Sequence, residues 1–386
     1  MGYSMARVIL APLEQSFETA MIQSETLLRP IDANLNRASE GLRVLEDIAR
    51  FVLNDAPLTE WLKSLRHELL RASSTFQMDL LNARAAIADV GASIEAVGEG
   101  ERQDLCSIAI ANSRRVQEAL RVLEEFAKLP SSPLRSDAKA LEQIRFAMYD
   151  LEQHLVGLLT RRQQAARLAG LYVIIDVDFV GWRDPVAVAK LVLEGGAAVV
   201  QLRDKKGPQV RTLNMARDIR LVCAEKGVLF IVNDCLDVAL ATCADGLHVG
   251  QEDLPVSEAR RLLPIGALVG CSASEVEEAL KAQADGADYV AVGAMYPTAS
   301  KEDYNLAGLK VLREVREKVP LPLVAIGGIN EANVEEVVAA GADSVAVISA
   351  VLQAEDVEGA TRRLASRINE VRERLGKKSK ECSGTD

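Results

Sequence analysis

The sequence predicts two domains: a C-terminal α/β domain of the (β/α)8 (TIM) barrel class, and before it an all-α helical bundle with an internal duplication. Three observations predict this. Eight short apolar runs, separated by helix-like stretches, punctuate residues 171–350. Residues 1 to about 160 show helical periodicity and few strand signals. Within that first half, one segment repeats another. A length of 386 residues also favours more than one domain.

In the helical half, Leu42, Leu45 and Ala49 fall on one stripe with the period of a buried helix face. Residues 33–46 read ANLNRASEGLRVLE and residues 111–124 read ANSRRVQEALRVLE. At an offset of 78, Ala33, Asn34, Arg37 and Glu40 match Ala111, Asn112, Arg115 and Glu118, and LRVLE at 42–46 recurs at 120–124. About one hairpin later, Leu65-Arg66 is echoed by Ile144-Arg145. A duplicated helical hairpin predicts a pseudo-twofold bundle. The repeated charges have two readings. Glu40–Arg43 and Arg43–Glu46 have the i,i+3 spacing of a solvated, salt-bridged face. Ordinary surface charge, however, has no reason to repeat in type and position. Asn34, Arg37, Glu40, Asn112, Arg115 and Glu118 are therefore candidates to line a cleft for a phosphorylated ligand. Neither G-x-x-x-x-G-K-[ST] nor G-x-G-x-x-G occurs in this half, so a nucleotide site there would be unconventional. Pro130-Ser131-Ser132-Pro133 breaks the pattern. The stretch 161–164 (RRQQ) reads as the helical exit, which sets the domains at 1–160 and 161–386.

The apolar runs of the second half are 171–177, 197–202, 229–232, 246–249, 268–271, 289–292, 323–326 and 344–348. A (β/α)8 barrel places its active site at the C-terminal ends of its strands, and polar residues cluster there. Along the second run, Val199, Gln201, Arg203 and Lys205 share one face, while Val200 and Leu202 point to the helices. Gln201 suits a hydrogen bond to a heteroaromatic ring. Arg203 offers a planar fork to phosphate oxygens and Lys205 a point charge; a strand-end salt bridge is the plainer reading. Asn233-Asp234 and Asp253 follow the third and fourth runs. Two carboxylates at neighbouring strand ends suit Mg2+, which keeps several waters and takes one or two carboxylates with substrate phosphates. Helix N-capping is the alternative for Asp234. Gly327-Gly328 and Ile348-Ser349 occupy the loops where this fold usually cradles phosphate through backbone N–H groups. The segment 296–301 (YPTASK) reads as an anion-closing loop or as a polar turn.

Of three histidines, only His248 falls in the barrel, inside the fourth run, and it reads as a packed interior residue. No Ser-His-Asp or Cys-His set is expected. Ser272 ends the fifth run. The pocket reads as built for charge stabilisation rather than around a strong base or nucleophile. A net charge of −11 argues against nonspecific nucleic-acid binding but leaves anionic small substrates open, because local cations focus the field in a pocket. Six cysteines without a CxxC pair read as reduced packing residues. With no signal-peptide pattern and no apolar stretch of roughly 20 residues, a cytoplasmic protein without a membrane partner is expected.

At these residues the chain resembles thiamine phosphate synthase over about residues 168–365, in the segments 201–205 (QLRDK), 232–234 (VND), 245–253 (DGLHVGQED), 296–301 (YPTASK), 326–329 (IGGI) and 347–350 (VISA). That family joins hydroxymethylpyrimidine diphosphate to a thiazole phosphate and releases pyrophosphate. The resemblance implies that Gln201, Arg203, Lys205, Asn233 and Lys301 hold the pyrimidine diphosphate, and that Asp234 and Asp253 bind Mg2+. It implies that Thr298, Ser300, Gly328, Ile348 and Ser349 hold the thiazole phosphate, and that Ser272 sits near the reacting carbon. Arg203, Lys205, Ser272 and Lys301 would carry the catalytic roles. Ser300 departs from the threonine frequent in relatives but keeps the hydroxyl. The family is thought to ionise the pyrimidine first, after which the thiazole nitrogen attacks without deprotonation. The helical half resembles a small domain often fused ahead of this synthase and associated with hydroxymethylpyrimidine phosphate kinase activity, with ATP as co-substrate. Three readings stay open: a bifunctional kinase–synthase, a synthase with a helical dimerisation or regulatory module, and a thiazole tautomerase-like barrel. The last has no pyrophosphate to bind, and the set Gln201, Arg203, Lys205, Asp234, Asp253 and Lys301 argues against it. A homo-oligomer is compatible with all three.

Overall fold

The computed structural model describes residues 4–72, 74–84, 101–298 and 305–382, with side chains from 26 to 376. The chain divides into two compact units, Met1–Leu159 and Thr160–Asp386.

The first unit is helical: α1 (Ser4–Asp47), a π-helical turn (Ile48–Leu53), α2 (Ala56–Ala72), α3 (Gln77–Ala83), α4 (Leu105–Ala127) and α5 (Ala138–Ala165), inside which the division between the units falls. Local chemistry sets the boundaries. Asn54 adopts a left-handed conformation (φ 54°) that stops the π-turn, and the Asp55 carboxylate then accepts the Leu58 N–H at 2.9 Å to start α2. Asp104 and Ser107 form a reciprocal capping box at the start of α4. The predicted stripe of Leu42, Leu45 and Ala49 is buried, in one core with Leu62 and Leu69 of α2, Leu120 and Leu123 of α4, and Ile144 and Met148 of α5. The two repeat copies pack directly on each other. A Cβ on Gly41 would lie 2.6 Å from Val116 Cγ2, so the close crossing of α1 and α4 needs the glycine.

The second unit is a closed barrel of eight parallel strands in sequence order. They are β1 (Gly170–Asp176), β2 (Val199–Arg203), β3 (Leu229–Asn233), β4 (Gly246–Val249), β5 (Leu268–Ala273), β6 (Tyr289–Gly293), β7 (Leu323–Ile326) and β8 (Ser344–Val347). Each predicted run overlaps its strand, with ends displaced by no more than two residues. β1 stops at Asp176, whose carboxylate accepts the Asp178 N–H at 3.0 Å and caps a short helix, Val177–Val180. Val200 and Leu202 join the core beneath the helices, and Val199 joins the cluster inside the barrel. Among the described residues, no helix is long and apolar enough to cross a membrane.

Candidate active site

A cavity of about 760 Å³ opens among the C-terminal ends of the strands. Gln201, Arg203 and Lys205 line it together with Asn233, Asp234, Asp253, Ser272, Thr298, Gly328, Ile348 and Ser349. Ser300 and Lys301 lie outside the described residues.

The cationic side starts at β2. Register pairs Arg203 with Asp176 at the end of β1, and the guanidinium Nη1 donates to the buried Asp176 carboxylate. The strand-end salt bridge therefore exists, and Arg203 lines the cavity as well. Asp176 escaped notice in the sequence, although it is the last member of the inward series Tyr172, Ile174, Asp176. Lys205 lies just past the strand, with its ammonium 2.5 Å from Asp234 Oδ2.

Asp234 is not the N-cap of the next helix. That place belongs to Cys235, ahead of Leu236–Thr242, and no side chain caps there. Instead Asp234 adopts a left-handed conformation (φ 59°) and donates its N–H to His248 O at 2.8 Å, which ties the loop after β3 to β4. Asp253 accepts the Gly250 N–H at 2.9 Å. Burial pushes the Asp234 carboxyl above the usual carboxylate range; Lys205 pulls the other way and Asp253 adds to the rise. Burial also acts against ionised Asp253, but hydrogen bonds from Asp234 and the Gly250 N–H, with the Lys205 charge, hold it below that range. The two carboxyls are thus pushed in opposite directions, Asp234 up and Asp253 down. Among the described residues, no group of three or more His, Cys, Asp or Glu side chains forms a metal cage. Two carboxylates leave most of a coordination shell to water and phosphate, the arrangement Mg2+ takes.

A row of polar side chains crosses the barrel interior below these groups. Gln201 Nε2 donates to Asn233 Oδ1 at 2.9 Å, and Tyr172 donates to Gln201 Oε1 at 2.6 Å. The Tyr172 and Tyr289 hydroxyls meet at 3.1 Å. Tyr289 contacts His248 Nδ1 at 3.1 Å, and His248 Nε2 contacts Ser272 Oγ at 3.0 Å. The sequence did not single out this serine–histidine contact. β4–β5 register sets His248 beside Gly270, and Ser272 follows two residues later on the same face. No carboxylate completes a triad: the second ring nitrogen meets a tyrosine. Burial pushes the His248 imidazole down to about 4, with Asp253 acting weakly against it, so the ring is neutral near pH 7. Tyr172, Tyr289 and His248 were missed as site residues because in sequence they read as packing. Their inward strand positions were the available signal.

On the opposite wall, Gly327 and Gly328 take positive φ (99° and 68°). A Cβ on Gly328 would lie 2.7 Å from Pro297 O, so the loops after β6 and β7 lean on each other there. Ile348 follows β8 and precedes the short helix Ser349–Leu352.

In the helical unit, Asn34 donates to Pro30 O at 2.8 Å and Asn112 to Ile108 O at 2.9 Å, the same i−4 contact in both copies. Arg37, Glu40, Arg115 and Glu118 are exposed. None of these four forms an ion pair with another of the described residues. The duplicated contacts lie elsewhere. Buried Glu46 takes Arg43 at 3.2 Å and Arg66 at 2.9 Å, and buried Glu124 takes Arg121 at 3.1 Å and Arg145 at 2.5 Å. Arg43 reaches on to Asp47 rather than back to Glu40.

Comparison with known proteins adds the following. Residues 171–351 match a family described as thiamine monophosphate synthase, and residues 29–154 match the ThiD2 family. A thiamine-phosphate synthase of Thermosynechococcus vestitus is 40% identical over 349 residues, covering 90% of this chain and 97% of the relative. One from Gloeobacter violaceus is 40% identical over 351 residues, covering 91% and 99%. Among solved structures, a thiamine phosphate pyrophosphorylase from Pyrococcus furiosus is 40% identical with a TM-score of 0.50, covering 54% of this chain and 98% of that one.

Proposed function

The chain belongs to the thiamine phosphate synthase family, and we propose that the polar cavity at the barrel mouth is where it joins hydroxymethylpyrimidine diphosphate to thiazole phosphate. It is a transferase of thiamine biosynthesis. The observation that carries the assignment of the site is the cluster of Lys205, Asp234 and Asp253 beside Arg203, over a floor whose first polar group is Gln201. Arg203 and Lys205 face the diphosphate, whose charge grows as it leaves; preorganised cations are worth most against charge that develops during the reaction. Gln201 and Asn233 hold the pyrimidine ring, and Ser272 stands near the reacting carbon. Thr298, Gly328, Ile348 and Ser349 hold the thiazole phosphate from the loops after β6, β7 and β8. Ser300 joins them, and Lys301 joins Arg203 and Lys205 at the diphosphate, on sequence grounds alone.

Asp234 and Asp253 would hold Mg2+, which when bound neutralises pyrophosphate charge. The pair fits this role: two carboxylates lie at neighbouring strand ends, and Lys205 compensates Asp234 at 2.5 Å. The thiazole nitrogen needs no deprotonation, and the cavity accordingly carries no strong base; His248, its one histidine, is held neutral by burial. The protein acts on small phosphorylated substrates, and a cytoplasmic setting suits its free thiols, five of which are described.

For the helical unit, the ThiD2 match supports a kinase that makes hydroxymethylpyrimidine diphosphate from the monophosphate with ATP and Mg2+. Purified protein given both phosphorylated precursors should release thiamine phosphate and pyrophosphate one for one, and only with Mg2+. Full rate in excess chelator would remove the metal from Asp234 and Asp253; no product would remove the substrates from the cavity.

A further inference from the structure

The chain leaving β2 divides its charges between two sides. Arg203 and Lys205 line the cavity, and Asp204 between them does not. Alternation turns Asp204 the other way, towards the helix Gln209–Lys226 that follows β2. Its carboxylate is almost wholly buried, with 2% of the side chain exposed, and takes four hydrogen bonds there. The Gly207 N–H donates at 2.8 Å and Thr212 Oγ1 at 2.9 Å. Arg211 Nη2 reaches both oxygens, at 3.1 and 3.0 Å. Burial opposes the ionised form, yet the bonds from Thr212, Arg211 and the Gly207 N–H hold the Asp204 carboxyl below the usual carboxylate range. Its charge is met by Arg211 behind the strand, so it does not cancel Arg203 and Lys205 in the mouth.

These bonds close the turn from β2 to the helix, residues 204–208 (DKKGP). A Cβ on Gly207 would lie 2.0 Å from Asp204 Oδ2 and 2.2 Å from Arg211 Nη2, so the carboxylate and guanidinium fold over a glycine. Pro208 stands at the N-cap and gives the helix no side-chain cap. The Asp204 carboxylate, reaching on to buried Thr212 in the first helical turn, joins loop to helix instead. The two lysines of the turn part company. Lys206 is 79% exposed and pairs on the surface with Asp178, whereas Lys205 reaches Asp234. A lysine is a point charge on a flexible stem, so its ammonium goes where the backbone beneath it is aimed.

We propose that Asp204, braced by Thr212 and Arg211, is the positioning residue of Lys205: from outside the cavity it fixes the turn so that Lys205, and not Lys206, meets the leaving diphosphate. The proposal rests on the reading of the cavity as the diphosphate site.

Steady-state kinetics of the full-length protein test it, with thermal melting as the control for folding. Asp204→Asn keeps the shape but turns an amide donor towards the donors of Thr212 and Arg211. It should lower kcat by roughly 10- to 100-fold, the scale of a misplaced reacting group, and leave the KM for thiazole phosphate in place. The deciding measurement repeats Asp204→Asn in a Lys205→Ala background. If Asp204 acts through Lys205, the double variant should be slower than Lys205→Ala by less than about twofold, whereas independent contributions would multiply. Thr212→Ser keeps the hydroxyl donor and should keep the rate; Thr212→Val keeps the shape without the donor and should lower it. That pair carries the test where Asp204→Asn does not fold. Losses that multiply, or equal rates for Thr212→Ser and Thr212→Val, would overturn the positioning role. Normal turnover in Lys205→Ala alone would overturn the reading of the diphosphate site, and the proposal with it.

Discussion

Lys205 holds its ammonium 2.5 Å from Asp234 while close to half of its side chain stays exposed. Arg203 is more deeply committed, since it is bonded to the buried Asp176. The two cations should therefore fail differently. Lys205→Ala should cut turnover by roughly 10²–10³ with little change in stability, because it removes a charge aimed at the leaving diphosphate. Arg203→Ala should cut turnover similarly and also destabilise the barrel by about 3 kcal/mol, because it strands a buried carboxylate. Neither should much alter the KM for thiazole phosphate. Steady-state kinetics with thermal melts checks both, and normal turnover in both variants would take them away from the mouth. His248 yields a pH prediction. Its folded pKa of about 4 lies below the ordinary 6.5, so between these values the unfolded chain binds the extra proton. Barrel stability should then rise with pH across that window and fall as pH drops from 6.5 towards 4, by an amount of order 3 kcal/mol. Melting in chelator at stepped pH measures it, and His248→Gln should flatten that part of the slope. The residues legible in sequence were those whose type is improbable indoors: Gln201, Arg203, Lys205, Asp234 and Asp253. Tyr172, Tyr289 and the His248–Ser272 couple were not, because aromatic residues on strands are ordinary packing until cross-strand register shows which hydroxyls meet.

Among the elements, the strands were the most legible. A parallel barrel buries both faces of each strand, so each appears as an uninterrupted apolar run. Their ends were less so, because ends are settled by single contacts such as the Asp176 cap that stops β1 one residue short of the apolar run. The tight spots were illegible too. A Cβ on Gly270 would lie 2.0 Å from Tyr289 Cζ, so β5 gives up a side chain to seat a ring from β6. The loop after β7 does the same for function: Gly328, at φ 68°, leaves no room for a Cβ between Tyr296 and Pro297. Gly328→Ala should push the loops after β6 and β7 apart, raising the KM for thiazole phosphate at least tenfold while the KM for the pyrimidine diphosphate holds, at a stability cost of about 1–3 kcal/mol. Equal KM changes for both substrates would place Gly328 outside the thiazole phosphate site.

At the scale of the whole molecule, the proposed function makes the two units consecutive steps: phosphorylation of hydroxymethylpyrimidine phosphate would yield the diphosphate that the barrel consumes. The duplication in the helical unit was legible as sequence, and the fold packs the two copies on each other through α1 and α4. What sequence did not separate was which repeated charges are structural. Glu46 and Glu124, each buried and each held by two arginines, belong to the framework, and breaking such a pair costs about 3–5 kcal/mol. Arg37 and Arg115 are exposed and make no ion pair with another described residue, so the framework gives no reason for their repetition. Ligand binding does give one. In the full chain with its barrel silenced by Lys205→Ala, ATP and hydroxymethylpyrimidine phosphate should yield accumulating diphosphate. Adding Arg37→Ala or Arg115→Ala should each lower that rate at least tenfold, while the melting of the helical unit moves by less than about 0.5 kcal/mol, since exposed charges contribute little to stability. Undiminished phosphorylation in both variants would return these arginines to a solvated helix face. Complete absence of diphosphate from the silenced chain would leave the helical unit as a dimerisation or regulatory module.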